Sequence, residues 1–338
     1  MSNGIIVFNM QQQAAIRLIQ NDLRYLYTIL DNINVVQPNY LVSALPYIGV
    51  TIDGAEKWIE AYNNSSNSKL EVPTFSEQER EFYSQMRSSI KFWDDTFQTI
   101  HDRLQQLYND SDNYFASLCK PFARRFRLYD IYGADLINNH FCGNTILNGY
   151  YIPDYYYGKD NGEEIKAYSQ IGGKYIALFN ATQSYLVDKS SVFVSKDYGG
   201  FIKSPLGNTF NNRFVLFSML CQINFVLYCI DGFILEECST KLRFAYLQYY
   251  YISKIIPDIN NVFNTNFVVD KKWVSSWFRN TMAHYKVGVA LAPNEVILND
   301  RLFGLVQKFF SCDYSTMKTA IIEELHSLSI QFEKFLFS

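Results

Sequence analysis

The stretch that most restricts how this chain can fold covers residues 214–230, F-V-L-F-S-M-L-C-Q-I-N-F-V-L-Y-C-I, almost unbroken in apolar side chains. It is long enough to invite a membrane reading, but Gln222 and Asn224 fall in its middle and Asp231 closes it. In hydrocarbon those polar groups would lose water without replacement, a cost that bilayer spans avoid. A helix that is apolar on most sides must instead be covered by other helices of the same protein. With 338 residues, 48% of them apolar, the chain carries enough material for that cover.

The covering helices are legible as apolar residues recurring at three and four. Residues 14–30 place Ile16, Ile19, Leu23, Leu26 and Leu30 on one side. Ser76 and Glu79 form a capping box, and the rhythm from Phe82 through Trp93 to Leu107 predicts one long helix ending near Tyr108. Further helices are expected at 235–255, 301–310 and 316–337, the last turning Ile321, Leu325, Leu328, Phe332 and Leu336 inward. Residues 41–50 hold Pro46 and Gly49 and read as turns or short helical pieces, followed by a short helix at 55–62. From 150 to 194 the chain becomes rich in tyrosine; Asp160, Asn161 and Gly162 suggest a turn between extended segments, and 191–194 a short strand. The expected fold class is all-α. A mainly helical N-terminal domain covers 1–200, with an irregular or hairpin segment at 150–198; a Gly, Pro and Asn-rich boundary at 199–209 leads to a helical bundle over 210–338.

Charge and cysteine usage narrow the function. The formal net charge is −3 and the pI about 5.9, so no global basic field draws nucleic acid to the chain. One local exception is K-P-F-A-R-R-F-R-L-Y, which places Lys120, Arg124, Arg125 and Arg127 among Phe122, Phe126 and Tyr129. Such a segment either grips an RNA backbone or forms a solvated helix face. The six cysteines include no C-x-x-C pair and are too sparse for a disulfide scaffold. None of the four histidines pairs with another or with a cysteine at metal-ligand spacing, so neither a structural metal nor a cofactor is expected. The start, M-S-N-G-I-I-V-F, lacks the basic segment of a signal peptide. A cytoplasmic protein without membrane contact is the resulting expectation.

A possible chemistry resides in W-F-R-N-T-M-A-H-Y, residues 277–285. On one helix, capped by Asp270 and closed at Gly288, Asn280 and His284 share a side, whereas Arg279 and His284 stand about 140° apart. That separation suits a polar arc that touches an extended phosphodiester from two directions. Arginine offers fixed donors to phosphate oxygens, and histidine exchanges protons near neutral pH. Lys286 lies two residues beyond and can supplement the clamp. On the preceding helix Glu237, Lys241 or Arg243 could face the motif, although a Glu237 to Lys241 pair that stabilises the helix is the plainer reading.

The string resembles the R-x(4-6)-H motif of the HEPN superfamily in its R-N-x-x-x-H form, matched by Arg279, Asn280 and His284. The resemblance covers about the last 130 residues and rests on that single motif. It implies a small bundle of helices that dimerises and, in many members, a metal-independent ribonuclease of toxin, phage-defence or RNA-processing systems. Arg279 would clamp phosphate, Asn280 orient it and His284 transfer protons, with two copies facing one RNA cleft and an antitoxin or regulatory partner as a further expectation. Other members are inactive, which leaves a non-catalytic dimerisation, sensory or interaction protein as the alternative.

Overall fold

A computed structural model describes residues 8–152, 161–207 and 209–338. The protein is mainly helical, with a small three-stranded sheet. The N-terminal half contains α1 (Met10–Asp31), α2 (Ile33–Val36), α3 (Pro38–Ser43), α4 (Leu45–Ser65), α5 (Glu77–Ser89), α6 (Phe97–Leu118) and α7 (Pro121–Arg125). There follow β1 (Asp130–Ile137), β2 (His140–Asn144), α8 (Thr145–Gly149), α9 (Asn161–Leu178) and β3 (Phe193–Gly199). The remainder is α10 (Asn212–Asn224), a π-helical continuation Phe225–Gly232, α11 (Ser239–Phe263), α12 (Ser276–His284), α13 (Val287–Ala290), α14 (Leu305–Phe310) and α15 (Tyr314–Phe337), with two short 3-10 turns.

The long apolar stretch behaves as its composition requires. The run Asn212–Gly232 is long and apolar enough to cross a membrane, yet 89% of its most apolar window is buried inside the protein. Its amides meet partners there, apart from the buried Asn224 Nδ2, which has none among the described residues. Gln222 accepts from the Trp93 indole N–H and from Gln248 Nε2 at 3.0 Å, and donates to the Tyr151 hydroxyl. Asn224 accepts from Ser329 Oγ at 2.6 Å. A buried amide with partners holds neighbouring helices in one register, whereas one without them would be strongly unfavourable.

Beside it runs α11, buried over most of its length, against which α1, α10, α12 and α15 pack. Buried side chains from 1–200 and from 210–338 belong to one continuous hydrophobic cluster. The connection expected to separate two domains therefore joins parts that share a core.

Several expectations are corrected by particular residues. The helix begun at Ser76 stops at Ser89, because Thr96 caps a second helix by accepting from Thr99 N and Trp93 turns inward to reach Gln222. Of the two readings of residues 41–50, turns or short helical pieces, the structure has the helical one: they close α3 and open α4. Pro46 sits in the first turn of α4, where a missing N–H costs little, and the short helix expected at 55–62 is the later part of the same α4. Gly49 lets α4 meet α5, since a Cβ there would stand 2.4 Å from the Met86 carbonyl carbon.

The hairpin placed at 150–198 is also corrected: residues 161–178 are helical, and Asp160 lies outside the described residues. The strand expected at 191–194 does begin β3, but its partner is β1, in an antiparallel sheet of order β2-β1-β3. The hairpin of that sheet turns at Asn138 and Asn139, with φ of 49° and 69°. Asparagine tolerates this left-handed pair, which matches strand twist.

Candidate active site

The helix carrying Arg279, Asn280 and His284 is shorter than expected. Its cap is Ser275, whose hydroxyl accepts from Phe278 N at 3.2 Å, while Asp270 caps only the 3-10 turn Lys271–Trp273. It ends at His284 rather than Gly288, because Tyr285 adopts φ 48° and buries its ring, and Gly288 falls within α13. Arg279 therefore lies in the first half of α12 and only His284 occupies its last turn.

What fixes that terminus is a buried ion pair. Arg243, fully buried, donates from Nη1 to Asp22 Oδ2 at 2.6 Å and from Nε to the Met282 carbonyl of α12 at 2.6 Å. Tyr285 Oη donates to the same Asp22 oxygen at 2.7 Å, and the guanidinium lies 4.4 Å from the Tyr285 ring centroid. Burial raises the Asp22 carboxyl from its ordinary value, with Arg243 and Tyr285 opposing it. A cation at a helix C-terminus satisfies carbonyls that the helix leaves open. Arg243 thus faces the motif helix as a brace, out of reach of solvent.

His284 leans toward α4. Its Nδ1 is 3.3 Å from Asp53 Oδ2, within ion-pair range but without the alignment of a hydrogen bond, and 21% of its side chain remains exposed. The Asp53 side chain is 5% exposed and also meets Lys57 Nζ at 2.7 Å and Arg87 Nη1 at 3.3 Å. Tyr83 Oη lies 3.4 Å from Asp53 Oδ1 and 3.1 Å from Glu56 Oε2. Burial pushes the Asp53 carboxyl upward, but His284 and Lys57 outweigh it and hold the group well below the usual carboxylate range. Asp53 is therefore an anion at neutral pH, set beneath a histidine and two half-exposed cations. Sequence reading missed Asp53, Lys57 and Arg87. The available signal was an acid within an apolar helical face, with a lysine four residues on.

This approach of α12 to α4 requires Gly54. A Cβ there would come within 2.6 Å of the Ala283 carbonyl oxygen and of the Tyr285 ring. Gly54→Ala is expected to destabilise the protein by about 1–3 kcal/mol through overpacking. Urea denaturation followed by circular dichroism would register this as a lower midpoint, and an unchanged midpoint would mean that the helices separate freely.

Arg279 leans the other way, toward α11. Its guanidinium carbon lies 5.1 and 5.5 Å from the Tyr250 and Tyr251 ring centroids, and its Nε is buried without a hydrogen-bond partner. Asn280 is exposed between the two flanks, and Lys286 is exposed past the helix end. Within one chain the motif residues engage different helices.

The other expected supporting residues lie elsewhere. Glu237 precedes α11 and accepts from Tyr314 Oη and Lys318 Nζ, each at 2.6 Å. Burial raises its carboxyl, but Lys318 and Tyr314 bring it below its ordinary value. Lys241 donates to the Asp231 carbonyl at 2.9 Å, so the Glu237 to Lys241 pair is replaced by contacts with other segments. Of the basic cluster, Arg127 binds Asp112, and Arg124 Nε donates to the Ala116 carbonyl at 2.9 Å. Lys120 and Arg125 are exposed on the same projection. Among the described residues, no group of three or more His, Cys, Asp or Glu side chains is arranged to hold a metal ion.

The class defined by fold and site is a mainly helical protein with a histidine–carboxylate pair at the junction of two helices. Compared with family models, curated proteins and solved structures, the chain matches none.

Proposed function

We propose that this protein is a metal-independent endoribonuclease of HEPN type that acts as a homodimer, with a role as a toxin or phage-defence effector. The observation that carries the reading is the partly exposed His284 held against the ionised Asp53, which Lys57 and Arg87 also contact. Such a group can exchange a proton with a substrate whose negative charge the two cations attract. In the reaction, the 2'-hydroxyl oxygen bonds to the adjacent phosphorus as its proton passes to one His284. The bond to the 5'-oxygen breaks, and that oxygen takes a proton from His284 of the second copy. The products are a cyclic phosphate and a 5'-hydroxyl end. Arg279, stacked on two tyrosines with its Nε unpaired, supplies charge for the phosphate, and Asn280 orients it.

The test is incubation of purified protein with mixed RNAs in excess chelator, alongside His284→Ala. Expected are fragments with cyclic-phosphate ends from the wild type and none from the variant. A second reading is favoured by the same contacts taken as braces: His284 to Asp53 and Arg279 to Tyr250 both tie α12 to its neighbours. In that case the protein is a non-catalytic interaction or sensory module, and neither sample cleaves RNA.

A further inference from the structure

The segment α7 buries none of its residues. It projects from the end of α6, held by Arg124 donating back to the Ala116 carbonyl. Phe122 and Phe126 are 68% and 57% exposed, with ring centroids 4.8 Å apart, and Leu118 just before them is 66% exposed. A second loop reaches the same place. Gly200 N donates to the Tyr129 carbonyl at 2.9 Å, and a Cβ at Gly200 would stand 2.3 Å from the Arg127 carbonyl oxygen. That contact places Gly200, and with it the exposed Phe201 and Ile202 (75% and 52%), next to the segment 127–129 that follows α7.

The charge on this projection has one sign. Residues 113–129 and 199–209 contain five lysines and arginines and no aspartate or glutamate, in a chain whose overall charge is −3. Lys120, Arg125 and Lys203 are exposed, and the nearby Asp112 is taken by Arg127 and Tyr129. Bare apolar side chains at a tip with cations around them are the arrangement that seats a protein in the interfacial zone of an anionic bilayer. The rings and aliphatic chains enter the acyl boundary while the cations stay at the headgroups.

We propose that this tip, formed by the end of α6, α7 and the 199–203 turn, attaches the protein peripherally to a membrane surface bearing anionic lipid. The proposal departs from the sequence-based expectation of no membrane contact, which weighed only a spanning helix. Membrane fits better than RNA for two reasons. The apolar set includes Leu118 and Ile202, which offer no ring to a base, and Phe122 and Phe126 pack against each other rather than standing apart as stacking platforms. In addition, Arg127 and Arg124 already spend donors on Asp112 and on backbone carbonyls.

The test is flotation of the full chain with vesicles of phosphatidylcholine alone, or of equal parts phosphatidylcholine and phosphatidylserine. The wild type is expected to float with the anionic vesicles only, and to be released by added salt. Phe122→Ser combined with Phe201→Ser, and separately Lys120→Glu combined with Arg125→Glu, are each expected to abolish flotation. Circular dichroism should be unchanged, because the substituted side chains are exposed. Absence of wild-type flotation overturns the proposal, as does equal flotation of the variants. It is also overturned if the same variants leave flotation intact but lose binding to a single-stranded RNA oligonucleotide, or if they convert a dimer that does not float into a monomer. None of these outcomes depends on ribonuclease activity.

Discussion

Arg243→Ala is expected to lower folding stability by about 3–5 kcal/mol, enough to consume much of the margin of an ordinary domain. The substitution leaves the Asp22 carboxylate buried without its cation and deprives the Met282 carbonyl of its donor. It also opens the end of α12, so His284 loses its fixed position. The pair itself is not the source of that stability, since desolvation of two ions offsets most of their attraction. Replacing the whole set, with Asp22→Leu, Arg243→Met and Tyr285→Phe, is therefore expected to recover much of the loss. The pH dependence has a definite sign. A buried carboxyl raised above its unfolded value contributes stability below that unfolded value and loses it as pH rises through the folded one. In Arg243→Ala only the hydroxyls of Tyr285 and Thr240 are left to oppose burial at Asp22, so the window widens upward. Urea midpoints measured across pH should show the smallest deficit in acid, and a deficit independent of pH would mean that Asp22 does not feel its burial.

How much of this arrangement could be read beforehand depended on whether the controlling contact was local. The central helix was legible because nearly every residue of 214–230 states the same requirement, and Gln222 and Asn224 spoke against a membrane span. The capping box at Ser76 was equally local. The break at 90–96 was not, because it depends on Trp93 meeting Gln222, 129 residues away. Pro46 and Gly49 misled for a related reason: each weakens an isolated helix, but one sits in a first turn and the other is needed for the close approach of α5. The hairpin at Asn138 and Asn139 carried a usable turn signal that the aromatic stretch downstream obscured. At the candidate site Arg279 and His284 were visible as residue types, and Arg243 only as one of three residues, with Glu237 and Lys241, that could face them. Asp53 was hidden because its role arises only when α4 and α12 meet at Gly54, 230 residues before His284 in the chain.

His284→Ala is expected to reduce RNA cleavage by about a hundred- to ten-thousand-fold, the contribution of one general acid or base. Asp53→Asn keeps the size of the side chain but removes the charge against which the imidazole is set, so its loss should be partial. The two act as a unit, and the double variant should then be no slower than His284→Ala alone. If Asp53 serves only the fold, its effect on kcat/KM will instead multiply with that of His284→Ala and follow the unfolding midpoint. Stability against pH separates these cases further. The Asp53 carboxyl is held below its ordinary value of 3.8, so its contribution is present above that value and disappears as pH falls through the lower, folded one. Asp53→Asn should therefore be less stable than the wild type at neutral pH, and the gap should close in acid. A variant that loses cleavage at neutral pH while its chain remains folded there makes Asp53 a positioning residue for His284, because global unfolding then does not account for the loss.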